Sequence, residues 1–333
     1  MKKINNIEIS NFKSIKHLKI DGCKKINVFV GQPNAGKSNI LEALGLFGFL
    51  DFTKSSVIES IVRFGSSDEL FFEGNISQEI QISINSILMK IIQNKFSIKN
   101  DKEHYIGLKD ELKYGFYSSE FANEMESNGS VSKLKKYSFG PEGDFNSSYN
   151  DKSLNFPYGE DLGRIISSYP KLRDVVNKFF KQNNLKVLIE KNTNELKVFK
   201  EFQDGTVFTL PYNLIADTLQ RLIFYKAAIM SNEKSVLLFE EPEAHCFEPY
   251  ILEFTNDVKY DENDNQFFIV THSDFIIKEF LRDNESKENT NIYLVNNVDG
   301  ETQVKLLEKD KNEDVFEYGM NVFFNFESLW ETN

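Results

Sequence analysis

A buried-strand pattern that runs straight into a glycine loop and then into a helical pattern is the feature that most narrows what this chain can become. Ile26 to Val30 form a continuous apolar run of the kind buried strands show. The next eight residues, Gly31-Gln32-Pro33-Asn34-Ala35-Gly36-Lys37-Ser38, satisfy G-x-x-x-x-G-K-[ST] in full, and Ile40, Leu41, Leu44 and Phe47 then recur at helical spacing. In such a loop, backbone N–H groups curl around phosphate oxygens at a helix N-terminus, and Gly31 and Gly36 permit the curl. Lys37 brings a mobile positive charge toward the β- and γ-phosphates of a nucleotide, and Ser38 offers a hydroxyl to Mg²⁺. Asn34, Ala35 and Asn39 complete the candidate phosphate-binding set of this segment.

Two later segments carry chemistry of the same kind. The apolar stretch Val236 to Phe239 delivers Glu240 and Glu241 at its C-terminal end, which is where open α/β sheets hold ligands. Glu240 is the candidate metal ligand, reaching Mg²⁺ through water, and Glu241 the candidate group to orient or deprotonate an attacking water. Phe267 to Val270 runs into Thr271-His272-Ser273, and a histidine at a strand tip would hydrogen-bond the γ-phosphate or that water. The four histidines, at 17, 104, 245 and 272, and the two cysteines, Cys23 and Cys246, have no zinc-ligand spacing.

Composition sets the outer limits. At 333 residues, with 40% hydrophobic and 14% aromatic content, the chain can bury a sizeable interior, which excludes global disorder. Two cysteines make no disulfide framework, and no leader with a cationic start and apolar centre opens the chain, so a cytoplasmic protein is expected. The longest apolar run, Ile40 to Leu50, is broken by Glu42, Gly45 and Gly48 and is too short to span a bilayer, so no membrane partner is expected. A net charge of −12 argues against a surface that grips phosphate backbones throughout. Residues 1–50 run the other way, with eight lysines against Glu8, Asp21 and Glu42.

Elsewhere the patterns predict strands at Ile4 to Ile9 and Ile15 to Ile20, with Asp21-Gly22 as a turn, and a strand with alternating Ile80, Ile82 and Ile84. An antiparallel meander is expected over 185–210, and a hairpin from Ile292 to Leu307 about Asp299-Gly300. Asp217 is expected to cap a helix carrying Leu219, Leu222, Ile223, Lys226 and Ala227. Asp261 to Asn265 and Arg282 to Asn291 read as solvated loops, and the polar stretch 114–160 has no evident fold.

The glycine loop, the apolar strand ending Glu-Glu-Pro-Glu-Ala-His, and Thr-His-Ser, in that order, resemble the ATP-binding-cassette type of AAA-family ATPase related to SMC, RecF-like and OLD-family proteins. The opening Ser10-Asn11-Phe12-Lys13-Ser14 is similar to the start of that group, and the resemblance covers about 1–50 and 205–280. It implies an α/β P-loop NTPase head with a mixed core sheet, an antiparallel β subdomain and an inserted helical or mixed lobe. Residues 1–74 would form the N-terminal half, 75–184 the inserted lobe and 185–333 the C-terminal half. It further implies that Lys13 and Ser14 reach the nucleotide near its phosphates or ribose. Two heads would pair head-to-tail around two ATP molecules, a homodimer or higher homo-oligomer.

By position, the signature segment that the resemblance implies would face the partner's phosphates holds Asp217, Thr218, Gln220 and Arg221, without the family's usual Ser and Gly. Glu240 replaces the usual Asp, and His245 to Pro249 is a loose version of the dimer-facing loop.

Split into two antiparallel arms, residues 51–205 would reach roughly 115 Å at most, and heptads are absent, so an SMC-length coiled coil is excluded. The residues after 310 leave no room for a nuclease domain of the OLD kind. The expected function is therefore Mg²⁺-dependent ATP hydrolysis by a dimerising head that gates a separately encoded effector, by analogy in phage defence. Two alternatives stay open: a RecF-like DNA-processing ATPase with nucleic acid as partner, and an ATP-held scaffold with little turnover.

Overall fold

The structure, a computed structural model, describes residues 3–48, 58–93, 104–108, 112–117, 133–140, 152–181 and 184–332. Much of the polar stretch 114–160 lies outside them. The chain opens with β1 (Ile7–Phe12), β2 (Ile15–Ile20) and β3 (Ile26–Gly31), followed by α1 (Lys37–Gly48) and a single turn, α2 (Ile58–Ile61). Strands β4 (Ile80–Ile84), β5 (Ile87–Gln93), β6 (His104–Leu108), β7 (Leu112–Tyr117) and β8 (Leu134–Tyr137) come next, then helices α3 (Leu162–Ser168) and α4 (Pro170–Lys181). After them come β9 (Lys186–Ile189), β10 (Leu196–Glu201), β11 (Val207–Pro211) and α5 (Asp217–Ser231). The remainder is β12 (Val236–Glu240), α6 (Glu248–Lys259), β13 (Gln266–Val270), α7 (Asp274–Leu281), α8 (Asn284–Glu288), β14 (Thr290–Val298), β15 (Glu301–Leu306), α9 (Lys309–Glu317) and α10 (Phe326–Thr332).

Two compact units result, Met1–Lys136 with Lys234–Glu241 and Gln266–Asn333, and Tyr137–Glu233 with Pro242–Asn265. The first holds a mixed sheet of order β15-β14-β3-β13-β12-β8. Strands β14, β3, β13 and β12 run parallel, and β15 returns antiparallel. Every residue of β3 and β13 is buried, which explains why both read as continuous apolar runs without alternation. A second sheet, β2-β1-β4-β5-β7-β6, pairs antiparallel throughout. Its alternation is the period-2 signal expected when one face is buried: Ile7 stands opposite Ile20 and Ile84, Ile9 opposite Leu18 and Ile82, and all are in the core.

Among the described residues, the second unit contains the meander β11-β10-β9 and helices α3, α4, α5 and α6. Helix α5 is buried nearly all round from Leu222 to Ile229, where Phe224 meets Tyr137 and Phe139 edge-on at 6.0 and 5.7 Å. Its buried Lys226 pairs with Asp257 at 2.6 Å, since an ammonium so enclosed must find a carboxylate.

Three expectations are corrected. Ala216, not Asp217, occupies the N-cap of α5, and no side chain caps it. Asp217 is the first helical residue, and its carboxylate accepts from Arg221 Nε at 2.8 Å, a partner one turn on that competes with capping. The span Arg282 to Asn291 is not a solvated loop: Asp283 caps α8 by accepting from Ser286 N at 2.8 Å, and Thr290 and Asn291 are buried in β14. Asn265 likewise is fully buried, its amide donating to Asn232 O at 3.0 Å and Asp261 Oδ1 at 3.0 Å. Among the described residues no helix is long and apolar enough to cross a membrane.

Candidate nucleotide site

Parallel strands β3, β12 and β13 end side by side, so Gly31 to Ser38, Glu240-Glu241 and His272 converge at one edge of the sheet within the first unit. Both loop glycines are fixed by their neighbours. A Cβ on Gly31 would stand 2.0 Å from Val295 O, its partner on β14. Gly36 has φ +95°, and a Cβ there would stand 2.0 Å from Thr302 Oγ1 and 2.8 Å from Ser14 Oγ. Asn34 takes φ 61°, which asparagine tolerates, and Ala35 is buried. Ser14 Oγ pairs with Thr302 Oγ1 at 2.7 Å and accepts from Asn39 Nδ2 at 2.7 Å, while Thr302 N donates to Ser14 O at 2.8 Å. Ser14 and Asn39 therefore brace the loop from behind, together with a threonine from the β14–β15 hairpin.

Lys37 is 5% exposed, with Nζ donating to Gly31 O at 3.0 Å and Gln32 O at 2.7 Å. Burial pushes its pKa down to about 8, against the pull of Glu241 and Glu240. Ser38 hydrogen-bonds the carboxylate of Glu240. That carboxylate also takes Arg63 Nη2 on Oε1 at 3.0 Å and Lys136 Nζ on Oε2 at 3.2 Å. Burial would raise its pKa, but Lys136, the Ser38 hydroxyl and Arg63 together hold it below the usual carboxylate range.

Arg63 continues to the fully buried Glu42 at 2.9 Å, which Lys13 also binds. Lys13 Nζ donates to Arg63 O at 2.6 Å as well, so its ammonium is engaged by helix α1 and the segment after α2. Lys136 Nζ donates to Ile61 O at 3.0 Å, and the missing side chain of Gly45 lets its stem and Ile61 lie against α1.

Glu241 adopts φ 46°, a left-handed backbone that a glutamate holds only under constraint, and its N–H donates to Val270 O at 2.8 Å. This turn brings Glu241 Oε1 to 3.5 Å from His272 Nε2. Burial and the charge of Lys37 lower the His272 pKa, with Glu241 opposing, which favours the neutral imidazole.

Asp217, Thr218, Gln220 and Arg221 belong to the second unit, where each spends its side chain locally. Thr218 Oγ1 donates to His245 O at 3.1 Å and Gln220 Nε2 to Ile215 O at 2.9 Å, and Arg221 lies 4.6 Å over the Phe139 ring while paired with Asp217.

Sequence reasoning missed Thr302, Arg63 and Lys136 as site residues. Glu42 carried a usable signal: an acid in the apolar stripe of α1 must find cations.

The family described as "AAA domain, putative AbiEii toxin, Type IV TA system" matches residues 26–278. The chain belongs to that family. This AAA domain is similar to an "ATP/GTP phosphatase" of Helicobacter pylori, 24% identical over 347 residues that cover 87% of this chain and 91% of that protein. It is similar also to a "DNA replication and repair protein RecF" of Lactococcus lactis, 30% identical over 112 residues, which span 32% of this chain and only 30% of that one. Among solved structures, an Smc head bound to the C-winged helix domain of ScpA superimposes with a TM-score of 0.53 at 16% identity, covering 92% of this chain and 98% of that one. A Pyrococcus furiosus Smc head with an extended coiled coil gives 0.52 at 14% identity, covering 96% and 99%. The AAA domain thus has the fold of an ABC-type ATPase head.

Proposed function

We propose that this ATPase head hydrolyses ATP or GTP with Mg²⁺, that the site closes when two copies pair, and that closure gates a separately encoded effector. One observation carries the catalytic part. A strained turn at Glu241 aims its carboxylate to 3.5 Å from His272, beside a glycine loop ending in Lys37 and Ser38.

In this reading the N–H groups of the loop and of the start of α1 bind the phosphates, and Lys37 leaves the Gly31 and Gln32 carbonyls for the β- and γ-oxygens. The donors next to it suit Mg²⁺, because the Ser38 hydroxyl and the Glu240 carboxylate are hard oxygens already hydrogen-bonded to each other. Bound by Ser38 and, through water, by Glu240, the ion would neutralise charge on the phosphate oxygens. Glu241 accepts a proton from the attacking water, and neutral His272 holds that water or the γ-phosphate by a hydrogen bond.

Pairing is supported by the second unit taken alone. The bond from Thr218 to His245 ties the starts of α5 and α6 together, and exposed Leu214 and Phe247 flank them. Because the signature side chains are bonded locally and the Leu219 and Gln220 N–H groups donate to Ala216 O, the donors offered to a second copy would be the N–H groups of Asp217 and Thr218 at the start of α5. The likeness to RecF favours a second reading, DNA binding, but Lys13, Lys16 and Lys19 are already paired with Glu42, Glu301 and Asp21.

The test measures nucleotide binding, phosphate release and mass in solution together. Lys37→Ala should lose nucleotide binding. Glu241→Gln should bind Mg·ATP, release phosphate at least about 100-fold more slowly, and accumulate as a dimer. Equal affinity in wild type and Lys37→Ala would overturn the site, and an ATP-bound Glu241→Gln that stays monomeric would overturn the pairing alone.

A further inference from the structure

The segment 318–325 lies outside every motif that points to the site, yet it forms one wall of it. The Phe323 ring stacks on the imidazole of His272, with centroids 6.2 Å apart and planes at 25°. The contact is built from both sides. On the histidine side, Thr271 is fully buried and its Oγ1 accepts from Ser273 N at 3.0 Å, while Ser273 caps α7 by accepting from Ile276 N at 3.3 Å. These bonds fix the backbone on either side of His272, and its ring, 38% exposed, meets the Glu241 carboxylate and the Phe323 ring.

On the aromatic side, Asn321 Oδ1 accepts from Phe323 N at 3.0 Å and Phe324 N at 3.1 Å, closing a tight turn around the aromatic pair. Val322 is fully buried, and its N–H donates to Asp274 Oδ1 at 3.3 Å. Lys278, paired with Asp274, donates to Gly319 O at 3.4 Å. The first turn of α7 therefore holds both the histidine loop and the segment that carries Phe323, so ring and imidazole are registered by the same short element.

We propose that Phe323 is a positioning residue for hydrolysis: its ring holds the His272 imidazole at the angle from which Nε2 faces Glu241 and the attacking water. The inference rests on the proposed reading of His272 and deepens it. A histidine free to turn about χ1 and χ2 spends part of its time facing away from the reacting atoms, and an aromatic wall removes those rotamers. The effect falls on turnover rather than on nucleotide binding, because the Phe323 ring packs on His272, the group assigned to the attacking water.

The full-length protein carrying ¹³C-labelled histidine tests this, with the His272 ring signal assigned through His272→Gln. In the wild type that signal should carry an upfield ring-current shift. Phe323→Leu keeps apolar bulk but removes the ring; it should lose the shift and lower kcat for Mg·ATP about three- to tenfold, with KM changed less than about twofold. Phe323→Tyr restores the ring and should recover both. A Phe323→Leu protein with unchanged kcat, a loss that Phe323→Tyr does not recover, or a wild-type signal without the shift would each overturn the inference alone. A His272→Gln protein with unchanged kcat would overturn the underlying reading of the site along with it.

Discussion

Replacing Lys37 by Met should stabilise the nucleotide-free protein while abolishing nucleotide binding, and the gain should depend on pH in one direction only. Lys37 is 5% exposed and its pKa falls from an ordinary 10.5 to about 8, chiefly through burial. That fall corresponds to about 3 kcal/mol charged against the protonated amine in the folded state. Because the folded pKa lies below the unfolded one, the unfolded chain binds more protons between about pH 8 and 10.5, and wild-type stability rises across that window. Below about pH 8 the penalty is present in full. Lys37→Met has no such proton and so shows no such rise. Urea unfolding of nucleotide-free wild type and Lys37→Met at pH 7 and 10 measures the difference. The advantage of the variant should shrink by roughly 2–3 kcal/mol between the two, because pH 10 still lies below the unfolded pKa. An advantage independent of pH would refute the argument, because it would assign the effect to packing of the methionine rather than to a desolvated charge.

Three further outcomes follow from the same geometry. Nucleotide binding that restores an ordinary lysine pKa should take up about 0.8 proton at pH 8.5 and about 0.1 at pH 7, since Lys37 titrates at about 8 in the free protein; calorimetry in buffers of different ionisation enthalpy reads it. Gly36→Ala meets both a φ of +95° and Thr302 Oγ1 at 2.0 Å, so nucleotide affinity should fall about 5- to 150-fold at roughly 1–3 kcal/mol of strain. Adding Thr302→Ala should recover only part of that loss, because the dihedral remains. Lys136→Met removes a cation that holds Glu240 below its usual pKa, so unfolding at pH 7 should lose roughly 1–3 kcal/mol. The loss should fade as pH falls below 4.5 and wild-type Glu240 itself takes up a proton.

What could be read in advance had a local cause. Ile26 to Ser38 combines a buried strand, two glycines at fixed offsets and an apolar helix stripe, so it announces itself without tertiary information. Val236 to Glu241 and Phe267 to His272 do the same through continuous apolar runs that end in chemistry-bearing residues. Thr302 could not be read in this way. It reaches Gly36 because β15 pairs with β14 at Asn297 and β14 pairs with β3 at Gly31, a chain of two registers that no window of sequence contains. Arg63 and Lys136 are invisible for the same reason, since each finds Glu240 across the fold. Asp217 failed differently, because both of its options were local. A side-chain cap is worth about 1 kcal/mol and an i,i+4 pair about 0.2–0.5 on its own, so the stacking of Arg221 over Phe139 has to add to the pair for it to prevail.

The missed residues also explain how the site can hold several buried charges before any nucleotide arrives. Glu42 is satisfied by Lys13 and Arg63, Glu240 by Arg63 and Lys136, and Glu241 stands opposite His272. Lys37 instead binds two neutral carbonyls and bears the cost of burial as a lowered pKa. A triphosphate entering the loop therefore need not break the carboxylate pairs; it has only to replace two carbonyls with anionic oxygens at Lys37, where the charge is least well compensated. The carboxylate network stays behind as the fixed frame against which Ser38, Glu240 and Glu241 are aimed. That division assigns affinity to Lys37 and the loop amides, and geometry to Arg63, Lys136 and Thr302. The same side chains that sequence reading cannot reach are thus the ones that keep the legible motifs in working position.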